Sequence, residues 1–154
     1  MIHSLITRVY LIRKKAHFGK NIKIVFPVNL YGCKFGNNIF VGPFVEIQNN
    51  TFIGDGTKIQ SHTFICEYVS IGANCFIGHG VNFVNDKFSC GKPAGGDKSR
   101  WLKTKISSEV YIGNNATILP VSICEHVVIG AGSVVTKDIT VSGTYAGNPA
   151  KLLV

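Results

Sequence analysis

The chain is short of charge, and shortest of acid. Asp, Glu, Lys and Arg together make up 16% of its 154 residues, with 8 acidic side chains against 16 basic ones and a net charge of +8. No DNA- or RNA-binding module accompanies that basicity. A small phosphate-rich molecule is therefore a simpler partner than nucleic acid. The chain also lacks any run of about 18 uncharged apolar residues, the length a membrane-spanning helix needs. Residues 1–17 mix apolar side chains with Arg8, Arg13, Lys14 and Lys15 and carry neither the apolar core nor the cleavage site of a signal peptide. They read as a short helix or strand capping the rest, with docking on a membrane surface as the alternative. Five cysteines are present (Cys33, Cys66, Cys75, Cys90, Cys124), none in a C-x-x-C pair. That usage suits free thiols in a reducing cytoplasm better than disulfides or zinc ligands.

What the chain has is a beat of six. An aliphatic or aromatic residue returns at Phe18, Ile24, Leu30, Phe35, Val41, Ile47, Ile53, Ile59, Ile65, Ile71, Ile77 and Phe83, and again at Ile106, Ile112, Ile118, Ile123, Ile129, Val135 and Val141. The residue after the marker is often glycine, as in Ile53-Gly54 and Ile71-Gly72, which suits tight corners. The residue four after it is small or β-branched, as in Thr51, Thr57, Thr63 and Cys75. One hexad cannot bury its own apolar face. Three of them close a triangular turn, and the turns stack. The pattern predicts an all-β, parallel hexapeptide-repeat solenoid over residues 18–154, with one extended loop.

That loop, Lys87 to Lys105, interrupts the beat between Asp86 and Ile106 and carries Arg100 and Trp101 beside a Gly-rich stretch. A long insertion in a compact array is usually functional, and this one reads as a flap over a ligand. Residues 18 apart become vertical neighbours, roughly 4.8 Å apart. Asn49, Glu67 and Asn85 each lie two positions after a marker. They are therefore expected to form one polar column at the corner where the loop departs. His62 and His79 occupy neighbouring corner positions of successive turns; imidazole suits them either to general-base work or to a subunit interface.

The repeat resembles the left-handed β-helix, hexapeptide-repeat acyltransferases. The resemblance covers Phe18 to Leu153 and is carried further by Gly130-Ala131-Gly132-Ser133-Val134-Val135-Thr136-Lys137-Asp138 and Ala146-Gly147-Asn148-Pro149-Ala150. It implies a homotrimer with active sites between subunits and acetyl-CoA as cosubstrate. It further implies a CoA groove along Gly130, Ala131, Gly132, Ser133, Ala146, Gly147, Asn148 and Pro149, with Lys137 and Lys151 near the phosphates. The segments around His62–Glu67 and Phe76–Asp86 resemble the branch that N-acetylates dTDP- or UDP-linked 3-amino sugars destined for surface polysaccharide. On that likeness Asn85 lies beside the sugar amine and the thioester, with Glu67 or His62 taking its proton and Asp86, Arg100, Trp101 and Asn49 contacting substrate. Asp86 either binds a hydroxyl or caps its turn; Trp101 either stacks on a base or packs the loop. The loop has no histidine, unlike the O-acetylating galactoside and serine enzymes of that fold. An O-acetyltransferase is the alternative, and a γ-carbonic-anhydrase-like metal enzyme is a weaker one, because the close histidine pair it requires is missing.

Overall fold

The computed structural model describes residues 15–153. The expected cap falls mostly outside them; of its residues, His17 already pairs in parallel with Lys34 as part of the first turn.

Strands of two to four residues alternate with corners and stack into three sheets. The first face has eight strands: Lys23–Ile24, Phe40–Val41, Lys58–Ile59, Phe76–Ile77, Tyr111–Ile112, Val127–Ile129, Gly143–Ala146 and Lys151–Leu152. The second has six: Asn29–Leu30, Glu46–Ile47, Phe64–Ile65, Asn82–Phe83, Thr117–Ile118 and Val134–Val135. The third has five: Lys34–Phe35, Phe52–Ile53, Val69–Ile71, Thr104–Ile106 and Ser122–Ile123. All pairings are parallel except the closing hairpin, where Gly143–Ala146 runs antiparallel to Lys151–Leu152. This is the three-sided β-solenoid that the beat demands.

Most of the markers form the core, though Phe18 is 37% exposed. Ile47, Ile53, Ile59, Ile65, Ile71 and Ile77 are each 0% exposed, and the small positions Thr51, Thr57, Thr63 and Cys75 are buried beside them. Each fully buried isoleucine stabilises the fold by about 1.5–3 kcal/mol. The buried threonines satisfy their hydroxyls on carbonyls across the corner: Thr57 Oγ1 donates to Gly72 O at 2.9 Å and Thr63 Oγ1 to Gly78 O at 2.9 Å. Cys33 and Cys66 are buried, and desolvation pushes their thiols up to about 11 and about 12 respectively.

Two expectations need correcting. The glycine after a marker serves close approach rather than backbone freedom: a Cβ on Gly54 would stand 2.5 Å from the carbonyl carbon of Gly72 in the next turn. The left-handed backbone lies two residues further on, at positions such as Gly56 (φ 71°) and Asn74 (φ 55°). The beat also changes near the C-terminus. Val141 is 59% exposed, and Ile139, 6% exposed, fills the inward position by bridging to Ile123. The last turn is therefore shorter, Ile129 standing over Tyr145.

The loop leaves after the strand Asn82–Phe83 and re-enters at Thr104 without disturbing the register, so that Ser70 pairs with Lys105 across the insertion.

Candidate active site

Asn49, Glu67 and Asn85 share the corner between the second and third faces. Register puts Ile47 beside Ile65, which sets Asn49 under Glu67. Asn49 also lies against the turn below, its Oδ1 standing 1.9 Å from where a Gly32 Cβ would be. Asn85 Nδ2 donates to the Glu67 carbonyl at 3.3 Å. The expected column exists, and the loop docks on it. The Asn85 carbonyl accepts from Leu102 N at 2.8 Å, and the Tyr68 carbonyl accepts from Thr104 N at 3.1 Å.

The charges at this corner meet in one ion pair. The Glu67 side chain is 9% exposed, and both of its oxygens accept from Lys98 Nζ, at 2.7 and 2.9 Å. Lys98 opens a single 3-10 turn, Lys98–Arg100, capped by Asp97, whose Oδ1 accepts from Ser99 Oγ at 2.6 Å and Ser99 N at 3.1 Å. Those two bonds, the hydroxyl's first, hold Asp97 below the usual carboxylate range. The hydrogen bond to Glu67 raises Lys98, keeping it a cation. Lys98 Nζ also lies 5.3 Å from the Trp101 ring centroid, within cation–π range.

The loop residues sort by their contacts. Asp86 caps the loop: its Oδ2 accepts from Ala94 N at 2.7 Å and its Oδ1 from Phe88 N at 2.9 Å, and these bonds lower its pKa. Trp101 packs edge-on against Tyr68 at 6.5 Å. Arg100 donates to the Lys92 carbonyl at 3.3 Å, within the loop.

His62 and His79 occupy the opposite edge of the second face, at its corner with the first. His79 Nδ1 lies 2.8 Å from Ser61 Oγ, and the His79 backbone N–H donates to Asn114 Oδ1 at 2.9 Å. His62 has a left-handed backbone (φ 62°) and stacks on Phe44 at 4.8 Å. Both imidazoles are exposed. The four residues expected to act together thus form two pairs on two corners, because His62 and Glu67 are divided by the strand Phe64–Ile65. Among the described residues, no group of three or more His, Cys, Asp or Glu side chains is placed to hold a metal ion.

The C-terminal segment has largely structural contacts. The N–H groups of Gly130, Gly132 and Ser133 donate to Tyr145 O, Asn114 O and Gly130 O. The buried Ser133 hydroxyl accepts from Gly147 N at 3.1 Å. A Cβ on Gly130 would stand 2.9 Å from that of Ala146, so the closing hairpin lies directly on this glycine. The expected backbone donors to a ligand are therefore engaged at Gly130, Gly132 and Ser133. Ala131, Gly147, Asn148, Pro149, Lys137 and Lys151 remain on the exposed surface. The Asn148–Pro149 bond is cis.

Sequence reasoning missed Lys98, which no spacing rule ties to Glu67 31 residues away. It also missed Tyr68, for which a signal existed: register sets it above Asn50 and Gly32, at a corner position where the backbone is left-handed.

Comparison with known proteins agrees with this picture. Residues 50–85 match the bacterial transferase hexapeptide (six repeats), and residues 104–137 match the hexapeptide repeat of succinyl-transferase. The bifunctional protein GlmU of Acinetobacter baumannii (strain AYE) is 38% identical over 109 residues, covering 70% of this chain and 21% of its own length. The chain thus spans about a fifth of that relative. A point mutant of AntD, an N-acyltransferase from Bacillus cereus in complex with dTDP and coenzyme A, superposes with a TM-score of 0.70 at 22% identity, over 92% of this chain and 83% of that one. A mutant of perosamine N-acetyltransferase from Caulobacter crescentus, in complex with CoA and GDP-perosamine, gives a TM-score of 0.64 at 22% identity, over 90% and 58%. The repeat thus matches transferase hexapeptide models on both sides of the loop, and that repeat builds the solenoid.

Proposed function

We propose that this chain is an acetyl-CoA-dependent N-acetyltransferase acting on the amino group of a nucleotide-linked amino sugar. The observation that carries this reading is the grip of Glu67 on Lys98. A largely buried carboxylate that holds a primary ammonium with both oxygens is equally fitted to hold a substrate's ammonium. Solved neighbours in complex with coenzyme A, one with dTDP and one with GDP-perosamine, support the substrate class.

The chemistry follows from charge. A sugar amine arrives as an ammonium and must lose one proton before it can attack a thioester. Glu67 accepts that proton, directly or through water. Asn85, an amide without basicity near neutral pH, orients the amine. The amine nitrogen then bonds to the acyl carbon, the thioester C–S bond breaks, and the departing thiolate takes up the remaining proton. Positioning supplies much of the rate, since an amine held against a thioester needs little activation. The loop's ammonium must yield the carboxylate to the substrate's, which makes Lys98 a competitor as well as a latch. CoA runs along the closing hairpin, with Lys137 and Lys151 near its phosphates, in a homotrimer with sites between subunits. Residues 18–154 form the catalytic domain, and surface polysaccharide is its destination.

The test is an acetylation panel of dTDP- and UDP-amino sugars, with the product identified as amide or ester. An amide product, with at least a tenfold loss in Asn85→Ala, is the expected outcome. An ester product overturns the reading.

A further inference from the structure

The loop brings an amine of the chain's own to the reactive corner. Lys98 Nζ stands 2.7 and 2.9 Å from the two oxygens of Glu67. That is the seat the reaction gives to a substrate's ammonium, beside the carboxylate that takes its proton. The same column carries Asn85, whose Nδ2 donates to the Glu67 carbonyl at 3.3 Å. Lys98 is also within reach of a reagent. Its side chain is 51% exposed and that of Glu67 9%, so the amine lies between the carboxylate and solvent. An acyl donor that reaches a sugar amine held on Glu67 reaches this amine too.

The other lysines of the loop lack that setting. Lys87, Lys92, Lys103 and Lys105 are exposed, and among the described residues Lys98 is the one lysine in an ion pair. Its place is fixed from both sides. Asp97 caps the 3-10 turn that Lys98 opens, and the Trp101 ring centroid lies 5.3 Å from Nζ.

We infer that Lys98 is a site of self-acylation: without an acceptor sugar, the chain transfers the acetyl group of acetyl-CoA to its own Lys98 and so frees Glu67. The ammonium gives one proton to Glu67, and rotation about Cε–Nζ turns the new lone pair to the open side. The nitrogen bonds to the acyl carbon, the thioester C–S bond breaks, and the departing thiolate takes the remaining proton from nitrogen. Glu67 then returns its proton to water, leaving a lysine amide and free CoA. The amide carries no charge, so the ion pair with Glu67 and the cation–π contact with Trp101 are both lost. The latch opens once, when acetyl-CoA is supplied. Self-acylation rests on the N-acetyltransferase reading and names a second acceptor for the same carboxylate.

The test is incubation of the full chain with acetyl-CoA and no sugar, followed by peptide mapping by mass spectrometry. Lys103, in the same loop, is the internal reference. On basicity alone Lys98 is a hindered nucleophile, because its hydrogen bond to Glu67 raises it and keeps it protonated. A preference for Lys98 therefore reports the site. Lys98 is expected to be acetylated at least about tenfold faster than Lys103, and the two rates to come within about threefold in Glu67→Gln or in urea. Protein acetylated at Lys98 is expected to share the lowered KM for an amino sugar of Lys98→Ala; an unchanged KM overturns the release of Glu67. Equal rates at Lys98 and Lys103 in the folded, unaltered protein, or a preference that survives Glu67→Gln, overturn self-acylation. If a sugar is acetylated and Lys98 is not preferred, the N-acetyltransferase reading stands and self-acylation does not. If Lys98 is preferred through Glu67 and no amino sugar is acetylated, self-acylation stands and the sugar reading does not.

Discussion

The two corners that flank the second face are built by the same rule and differ in what the rest of the chain brings to them. At the first, Ser61, His62 and His79 come from adjacent turns and meet only neighbours that register supplies: Phe44 below His62, and Asn114 above His79. At the second, Asn49, Glu67 and Asn85 are stacked by the same register, but a 19-residue insertion, Lys87 to Lys105, adds a cation and an aromatic ring. Stacking alone gives an exposed polar ladder. Stacking with an insertion gives a largely buried carboxylate with an ammonium on it. Reactivity at this solenoid is thus expected where a long loop meets a column, rather than wherever a titratable side chain sits at a corner.

The largest effect that would sharpen this contrast is on Glu67. Glu67→Gln keeps the shape and removes the proton acceptor, and acetyl transfer should fall roughly 100-fold. Asn85→Ala should cost about tenfold, mainly through misplacement of the amine. Lys98→Ala removes the competitor for Glu67: KM for the amine should fall roughly threefold to tenfold with kcat little changed, a split that a purely structural role would not produce. A smaller effect concerns pH. Hydrogen bonds from Ala94 and Phe88 lower Asp86, so its contribution to loop order is present above the ordinary value of about 3.9 and is lost as pH falls through the lowered value. Loop amides, corrected for the intrinsic pH dependence of exchange, should therefore lose protection at acid pH, and Asp86→Asn should lose the same protection at neutral pH. The smallest effects belong to the other corner. His62→Ala and His79→Ala should leave kcat within about threefold, and a larger loss in either would erase the distinction between the corners.

Much of the architecture was legible in the sequence because a six-residue beat is a one-dimensional signal. Ile47 to Ile77 point inward as counted, and the Glu67–Asn85 stacking follows from counting 18. The beat failed at Val141, where the chain shortens its last turn to lay a hairpin over Gly130, a packing choice made between turns. The glycines were placed correctly for the wrong reason: their cause is the backbone of the next turn, which no local pattern displays. The site was half legible. Counting found the polar column of Asn49, Glu67 and Asn85, while the two histidines stand at the other edge of the second face. Lys98 and the Asp86 cap belong to the loop, where periodicity ends and only the folded chain brings distant residues together.

The most direct measurement is the steady-state rate of acetyl transfer to a dTDP- or UDP-amino sugar by Glu67→Gln beside the unaltered protein, with the amide product quantified. The account predicts a fall in kcat of about 100-fold in a variant that remains folded. A rate within threefold would mean that the carboxylate at this corner serves only to pin the loop, and that the amine is deprotonated elsewhere.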